Sequence, residues 1–196
     1  MKSIGLTIAA LAMAFSAVPT LAGGLGEGEF RYCEWCHGEA GQGYSTAPRL
    51  AGQSDQYIES QLTNYLKHKR VGQLMWSTAA FISTQNARDA AVYFSKIPPK
   101  AAGDGDRAIA PAGKIVYQEG IPDANIVACA PCHGPTGEGL GEIPRLGGLS
   151  QYYLKARLDQ WAHGHDAAAS PPMPHIASQL SPNEIDALAS YLSFVK

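Results

Sequence analysis

Apolar residues recur at helical spacing in two stretches of the chain. Over residues 53–67 the apolar positions are Tyr57, Ile58, Leu62, Tyr65 and Leu66, one face of a 3.6-residue period. Over residues 150–161 they are Tyr153, Leu154, Leu158 and Trp161, with the same spacing. A final helix is predicted from Ser181. There Ser181-Pro182-Asn183-Glu184 has the form of a capping box with proline at the first helical position. Leu180 and Ile185 flank that start as a hydrophobic staple. A matching start at Ser83-Thr84-Gln85-Asn86 keeps the serine cap but lacks the glutamate, which predicts a weaker helix end. No segment alternates apolar and polar residues as a half-buried strand does, so the chain is predicted to be all-α.

The pattern repeats. Gly41, Gly43, Pro48-Arg49-Leu50, Gly52, Ser54, Tyr57 and Leu62 recur 96 positions later as Gly137, Gly139, Pro144-Arg145-Leu146, Gly148, Ser150, Tyr153 and Leu158. Farther on the offset becomes 98, pairing Met75 with Met173, Ser83 with Ser181 and Tyr93 with Tyr191. Two copies are too few for a solenoid and fit two homologous domains. Residues 98–109 are rich in proline, glycine and aspartate without an apolar period, and read as a linker. The expected organisation is a signal peptide over 1–22, a first domain over 23–97, the linker over 98–109 and a second domain over 110–196. Each domain is small for an autonomous core, so a bound apolar group would supply mass that the side chains lack.

The first residues change the picture of where the chain resides. Lys2, an uncharged and mostly apolar run over residues 4–18, and the small residue Ala22 form an export signal with cleavage after Ala22. A retained membrane anchor is the alternative. Gly5, Thr7, Ser16, Pro19 and Thr20 interrupt the run, and Gly23-Gly24 after it is no stop-transfer signal. Hydrophobic content is an ordinary 45%, and the net charge of -2 argues against nucleic-acid binding. Residues 23–100 carry 8 basic and 7 acidic side chains, residues 101–196 carry 6 and 10. This asymmetry is either an orienting field for partners or ordinary surface variation.

The chemistry lies in the cysteines. All four fall in Cys33-Glu34-Trp35-Cys36-His37 and Cys129-Ala130-Pro131-Cys132-His133, two C-x-x-C-H motifs in the same 96-residue register. This is the attachment signature of c-type haem. Two thiols add to the two porphyrin vinyl groups, and the adjoining histidine supplies one axial nitrogen. The motifs predict two covalently bound haem c groups. Zinc held by thiolates and imidazoles is the rival, but the pairs lie far apart and each histidine abuts its second cysteine. A redox-active dithiol is a further alternative.

The sixth iron ligand is expected to be methionine or histidine. Beyond the signal only Met75 and Met173 remain, one per repeat, each eight positions before the cap serine of the last helix. A methionine filling a core gap does not predict that match. Met173 lies in Ser170-Pro171-Pro172-Met173-Pro174, read as a rigid loop, whereas Gly72-Gln73-Leu74-Met75-Trp76 lacks those prolines. Of the other histidines, His68 sits in the solvated basic run Lys67-His68-Lys69-Arg70, and His163 and His165 flank Gly164 in a loop. His175 follows Met173 closely enough to compete for iron. Pro48 and Pro144 each follow their motif's histidine by 11 residues, so a turn there brings a carbonyl to the Nδ1–H of His37 or His133, unless each is a simple loop proline.

With these residues in place, the chain resembles the dihaem cytochrome c4 family. The resemblance rests on Cys33, Cys36, His37 and Met75, on Cys129, Cys132, His133 and Met173, and on the repeated Pro-Arg-Leu-x-Gly. It implies two tandem class I cytochrome c domains, each wrapped around one haem, related by pseudo-twofold symmetry. It implies a periplasmic electron carrier with redox protein partners, possible peripheral membrane association, and no nucleic-acid partner. A quinol-cytochrome c reductase or a dehydrogenase would be the donor, and a terminal oxidase or reductase the acceptor. The alternatives are an electron-accepting cytochrome subunit of a periplasmic dehydrogenase and a small haem peroxidase, the last disfavoured by two closed irons. The expectation is therefore an electron carrier in a respiratory chain, not an enzyme, with no catalytic residue.

Overall fold

The computed structural model describes residues 30–166 and 171–196. The expected export signal, its cleavage site and Ser170 lie outside these residues. Nine α-helices and no strand occur among the described residues, with isolated bridges only at Ile121–Ile126 and Leu140–Ile143. None of these helices is long and apolar enough to cross a membrane.

The first half contains α1 (Arg31–His37), α2 (Asp55–Leu66), α3 (Gln73–Phe81) and α4 (Thr84–Ser95). Its core joins Phe30, Ile58, Ala90, Ala91 and Phe94. The second half contains α5 (Ala110–Glu119), α6 (Ala130–His133), α7 (Gln151–Ala162), α8 (Met173–Ala177) and α9 (Pro182–Phe194). Its core is larger and is built chiefly from one face each of α7 and α9, with Val116 and Tyr117 of α5 packed in. Gly113 permits the close crossing of α5 over α9: a Cβ there would lie 1.9 Å from the Ala187 carbonyl oxygen.

The helix ends follow the sequence. Ser54 and Ser150 cap α2 and α7 by accepting from the amides of Tyr57 and Tyr152. Ser181 and Glu184 form the reciprocal capping box of α9, and Leu180 and Ile185 both enter the core beside it. Ser83 caps α4 through the Asn86 amide alone.

Residues 98–109 do not form a free tether. The amides of Ala102 and Gly103 donate to the carbonyls of Gly148 and Ser193. Those of Gly105 and Asp106 donate to the buried hydroxyls of Ser193 and Ser190. Asp104 accepts from Ser150 Oγ and the Gln151 amide at the start of α7. Proline and glycine in this stretch thus serve a fixed strap, because its donors meet acceptors on α9 and around α7.

Buried polar groups join the halves. The Arg49 guanidinium donates from Nη1 to the carbonyls of Lys100 (2.6 Å) and Gly148 (2.7 Å), and from Nη2 to Gly147 (2.6 Å). Its Nε donates to Ala51 in its own half. Burial, aided by the neighbouring Arg145, pushes its pKa down to about 10. The Gln53 amide pairs with the backbone of Arg145 in both directions. Arg70 corrects the reading of residues 67–70 as a solvated run: it is only 4% exposed. It donates to Gln61 Oε1 in its own half and to the Tyr153 hydroxyl in the other. The chain turns inward there because α2 ends at Leu66 and His68 adopts a left-handed backbone, φ 53°.

Candidate haem sites and family relationship

Helices α1 and α6 present the two motifs in one geometry. Cys33 and Cys129 are half-buried, Cys36 and Cys132 exposed, and none of the four is bridged to another. Burial pushes the Cys33 and Cys129 thiols up to about 11, reinforced by Glu34 at the first and by Cys132 at the second. A redox-active dithiol needs a lowered thiol pKa, so that alternative loses its basis. Among the described residues no group of three or more His, Cys, Asp or Glu side chains converges, and the zinc alternative therefore has no assembled ligand set.

His37 and His133 are buried. The Nδ1–H of His37 donates to the Pro48 carbonyl at 2.7 Å, and that of His133 donates to the Pro144 carbonyl at 2.9 Å. A carbonyl only accepts, so the proton sits on Nδ1 and Nε2 keeps its lone pair. Burial lowers both imidazole pKa values, against the opposing effect of the proline carbonyls, and Arg70 lowers that of His37 further. Both rings are therefore neutral, oriented and basic at Nε2, as a metal-ligating imidazole must be.

The methionines sit differently. Met75 lies in the first turn of α3, a helix that no apolar period predicted. α3 has no clear apolar face: Leu74 and Phe81 are 82% and 91% exposed while Ala79 is buried. Met173 opens α8, with Pro172 at its N-cap. It packs against the second core, as does Cys129. Cys33 packs against the first core, whereas Met75 stands outside that cluster. The remaining histidines make local contacts. His68 meets the Trp76 ring at 4.8 Å, His163 bonds the Asp159 carbonyl, and His175 bonds Gln179.

The residues fit a haem in each half. Each site offers two unbridged thiols and one lone-pair imidazole nitrogen in a fixed orientation. Among the described residues, three buried donors, Arg70 Nε, Arg145 Nε and Trp161 Nε1, have no acceptor. They suit a prosthetic group that brings its own carboxylates. Neither these donors nor the guanidiniums of Arg49 and Arg157 were identified from sequence. The only signal was the repeated Pro-Arg-Leu, which marks Arg49 and Arg145 without saying what they meet.

Comparison with known proteins agrees with this geometry. The family model of cytochrome c matches residues 110–196. A cytochrome c4 of Thiocapsa roseopersicina is 34% identical over 166 residues, spanning 82% of this chain and 85% of that protein. A thiosulfate dehydrogenase electron acceptor of Stutzerimonas stutzeri is 34% identical over 169 residues, spanning 83% and 78%. The crystal structure of reduced recombinant cytochrome c4 from Pseudomonas stutzeri superposes with a TM-score of 0.80 at 28% identity, covering 86% of this chain and 96% of that one. The helical fold and paired attachment motifs thus define a c-type cytochrome with two covalently bound haem c groups, an electron carrier that works with redox protein partners. Within that class, the chain belongs to the cytochrome c4 family.

Proposed function

We propose that the chain is a periplasmic dihaem carrier passing single electrons between respiratory partners, and that it is not itself an enzyme. Domains over residues 23–97 and 110–196, joined at 98–109, would each enclose one haem. The reading is carried by one observation: both motif histidines are held by a proline carbonyl eleven residues on, at matched positions.

Cys33 and Cys36, and Cys129 and Cys132, would make the thioether links. His37 and His133 would hold one axial position, with Pro48 and Pro144 fixing their rings. Met75 and Met173 would hold the opposite one. Each haem supplies a one-electron iron couple. The protein's part would be to supply both a histidine and a methionine to each iron, so that no substrate reaches it, and to keep ligand movement small between redox states. A thioether opposite imidazole favours the reduced form and raises the potential relative to two imidazoles. Residues 1–22 would direct export and be removed, and the low net charge is compatible with a protein that docks transiently.

A quinol-cytochrome c reductase as donor and a terminal oxidase or reductase as acceptor fit this role. A second reading, an electron-accepting subunit of a periplasmic dehydrogenase, is favoured by the likeness to thiosulfate dehydrogenase electron acceptors. Both use the same chemistry and differ in donor.

A redox titration of the purified protein, followed by visible and near-infrared spectra, tests the proposal. Two reversible one-electron steps without substrate are expected, with the near-infrared band of ferric methionine ligation. Met75→Ala and Met173→Ala should each remove about half of that band. An iron that is stably five-coordinate in the unaltered protein, or turnover of peroxide, would overturn it.

A further inference from the structure

We propose that Asp166, in the second half, is a positioning residue for Met75 of the first. This rests on the reading that Met75 is an iron ligand. The segment that leads into Met75 enters its helix without a side-chain cap, and α3 has no acidic residue in its first turn. Gly72 at its N-cap is pressed beneath the Tyr65 ring, where a Cβ would lie 2.8 Å from the ring edge.

A hold on that segment comes from across the interface. The Val71 amide donates to Asp166 Oδ1 at 2.6 Å, although the Val71 residue is 51% exposed. The Trp76 indole, next to Met75, donates to the Arg70 carbonyl at 2.6 Å. The peptide between Arg70 and Val71 is thereby gripped from both sides, by Asp166 at its N–H and by Trp76 at its carbonyl. Asp166 is itself immobilised. Its Oδ2 accepts from Arg157 Nη1 at 2.6 Å, and its side chain is fully buried. Arg157 in turn lies over the Trp161 ring, 4.5 Å from its centre.

The repeat shows how the contact is built. Positions 70 and 166 are 96 apart, as are 61 and 157. In the first half the loop residue is the cation, Arg70, and the helix residue the neutral acceptor, Gln61. In the second half the helix carries the cation, Arg157, and the loop the carboxylate, Asp166. Both loop residues cross the interface, Arg70 to the Tyr153 hydroxyl and Asp166 to the Val71 amide. Exchanging the charge avoids two like charges at equivalent places. Among the described residues, Asp166 is the one that binds the backbone leading into a methionine of the other half. Met173 packs on its own core. A disturbance of the interface at Asp166 thus reaches the first iron through its methionine.

The test compares Asp166→Ala and Asp166→Asn in the haem-loaded protein. Ligated methionine methyl groups of the ferrous protein resonate far upfield through the porphyrin ring current, so two such signals are expected, and Met75→Ala assigns one of them. Sodium cyanide binds ferric haem only after methionine leaves. In Asp166→Ala, cyanide should bind the first haem about tenfold tighter, the equivalent of one charge-assisted hydrogen bond, and the second haem unchanged. Asp166→Asn keeps an oxygen for the Val71 amide and should restore most of the difference. Loosening of Met173 instead, equal loosening of both, or no rescue by asparagine would overturn the inference while leaving the ligand assignment intact. If Met75→Ala removes neither upfield signal, the assignment itself fails and the inference with it. The unaltered protein gives an independent measurement: the Val71 amide should be protected from hydrogen exchange. An unprotected amide overturns the inference even if the Asp166 variants do not fold.

Discussion

Two copies of one haem-binding pattern are stabilised by unequal means in this protein. Among the described residues, the second half gathers thirteen buried apolar side chains into one cluster and the first gathers five. The second half has α5 laid across α9 at Gly113, a full capping box on α9, and a methionine seated on its core. The first half has a serine-only cap on α4 and a methionine on a helix that begins uncapped. Among the described residues, the first half is also held from elsewhere, through Arg49 bonded to backbone carbonyls of the strap and second half, and Asp166 bonded to Val71. A domain with little apolar core depends more on its prosthetic group and on its neighbour.

Haem removal should expose this difference most strongly. Replacing Cys33 and Cys36 with serine removes both attachment points of the first half, and replacing Cys129 and Cys132 does the same for the second. The first change should cost that half its whole stability, on the order of the 5 kcal/mol that marks a marginal domain. The second should leave α5 and α9 packed. Limited proteolysis with mass-spectrometric mapping reads this directly. Cleavage that begins in the second half of both variants would break the comparison.

Next in size is Arg49→Ala. Four carbonyls lose a charged donor at a buried site, so a loss of about 3 kcal/mol is expected in denaturant unfolding. One transition should separate into two as the halves uncouple. Among the described residues, Arg145, at the same place in the repeated Pro-Arg-Leu, makes no such set of bonds to carbonyls, and Arg145→Ala should cost the link between the halves less than half as much. Arg49→Lys should not rescue, since a point charge cannot reach several carbonyls at once. Equal losses at the two arginines would mean that the interface is not where the first half finds its support.

Acidification acts on the feature the halves share. Burial lowers the folded pKa of His37 and His133 below the ordinary 6.5. The unfolded chain then binds more protons below that pH. The stabilisation is complete above about pH 6.5 and is lost as pH falls toward the folded values, by at most about 1.4 kcal/mol per pH unit for each histidine. Iron ligation, which needs the neutral ring, acts in the same direction. Thermal melts between pH 7 and pH 5 should show both halves declining in parallel. A slope present in only one half would show that the matched proline carbonyls do not create matched environments.

Local signals made much of the fold legible in the sequence. The period of Tyr57, Ile58, Leu62 and Tyr65 marks α2, and Ser181 with Glu184 marks the start of α9 within a residue. The motif spacing located the cysteines and histidines, and their offset revealed the repeat. Contacts made only in the assembled molecule were not legible. Arg70 reads as one more cation in a basic run, because sequence cannot show that a left-handed turn at His68 sends it inward. Helix α3 escaped because its apolar residues, from Leu74 to Phe81, do not gather on one face. The strap over residues 98–109 looked like a tether because its partners, Ser190 and Ser193, are small polar residues on a helix otherwise read for its apolar face.

The smallest expected effect can also be written as a gain. Helix α9 begins with Ser181 accepting from the Glu184 amide while Glu184 accepts from the Ser181 amide. Helix α4 begins with Ser83 accepting from the Asn86 amide, and Asn86 stands where the glutamate would be. Ser181→Ala should therefore cost about 1 kcal/mol, and Ser83→Ala somewhat less, because only one bond is lost there. Asn86→Glu completes the box in the first half. It satisfies the Ser83 amide and places a negative charge at the positive end of α4, for a gain of about 0.5 kcal/mol. Ser83, Thr84 and Gln85 around it are exposed and Asn86 is half-buried, so little else changes. If the weakness of the first half lies partly in its local helix ends, this gain should appear in that half's unfolding midpoint and leave the second half's unmoved. If the midpoint does not rise, the difference between the halves belongs wholly to the core and the interface, and the missing glutamate is without consequence.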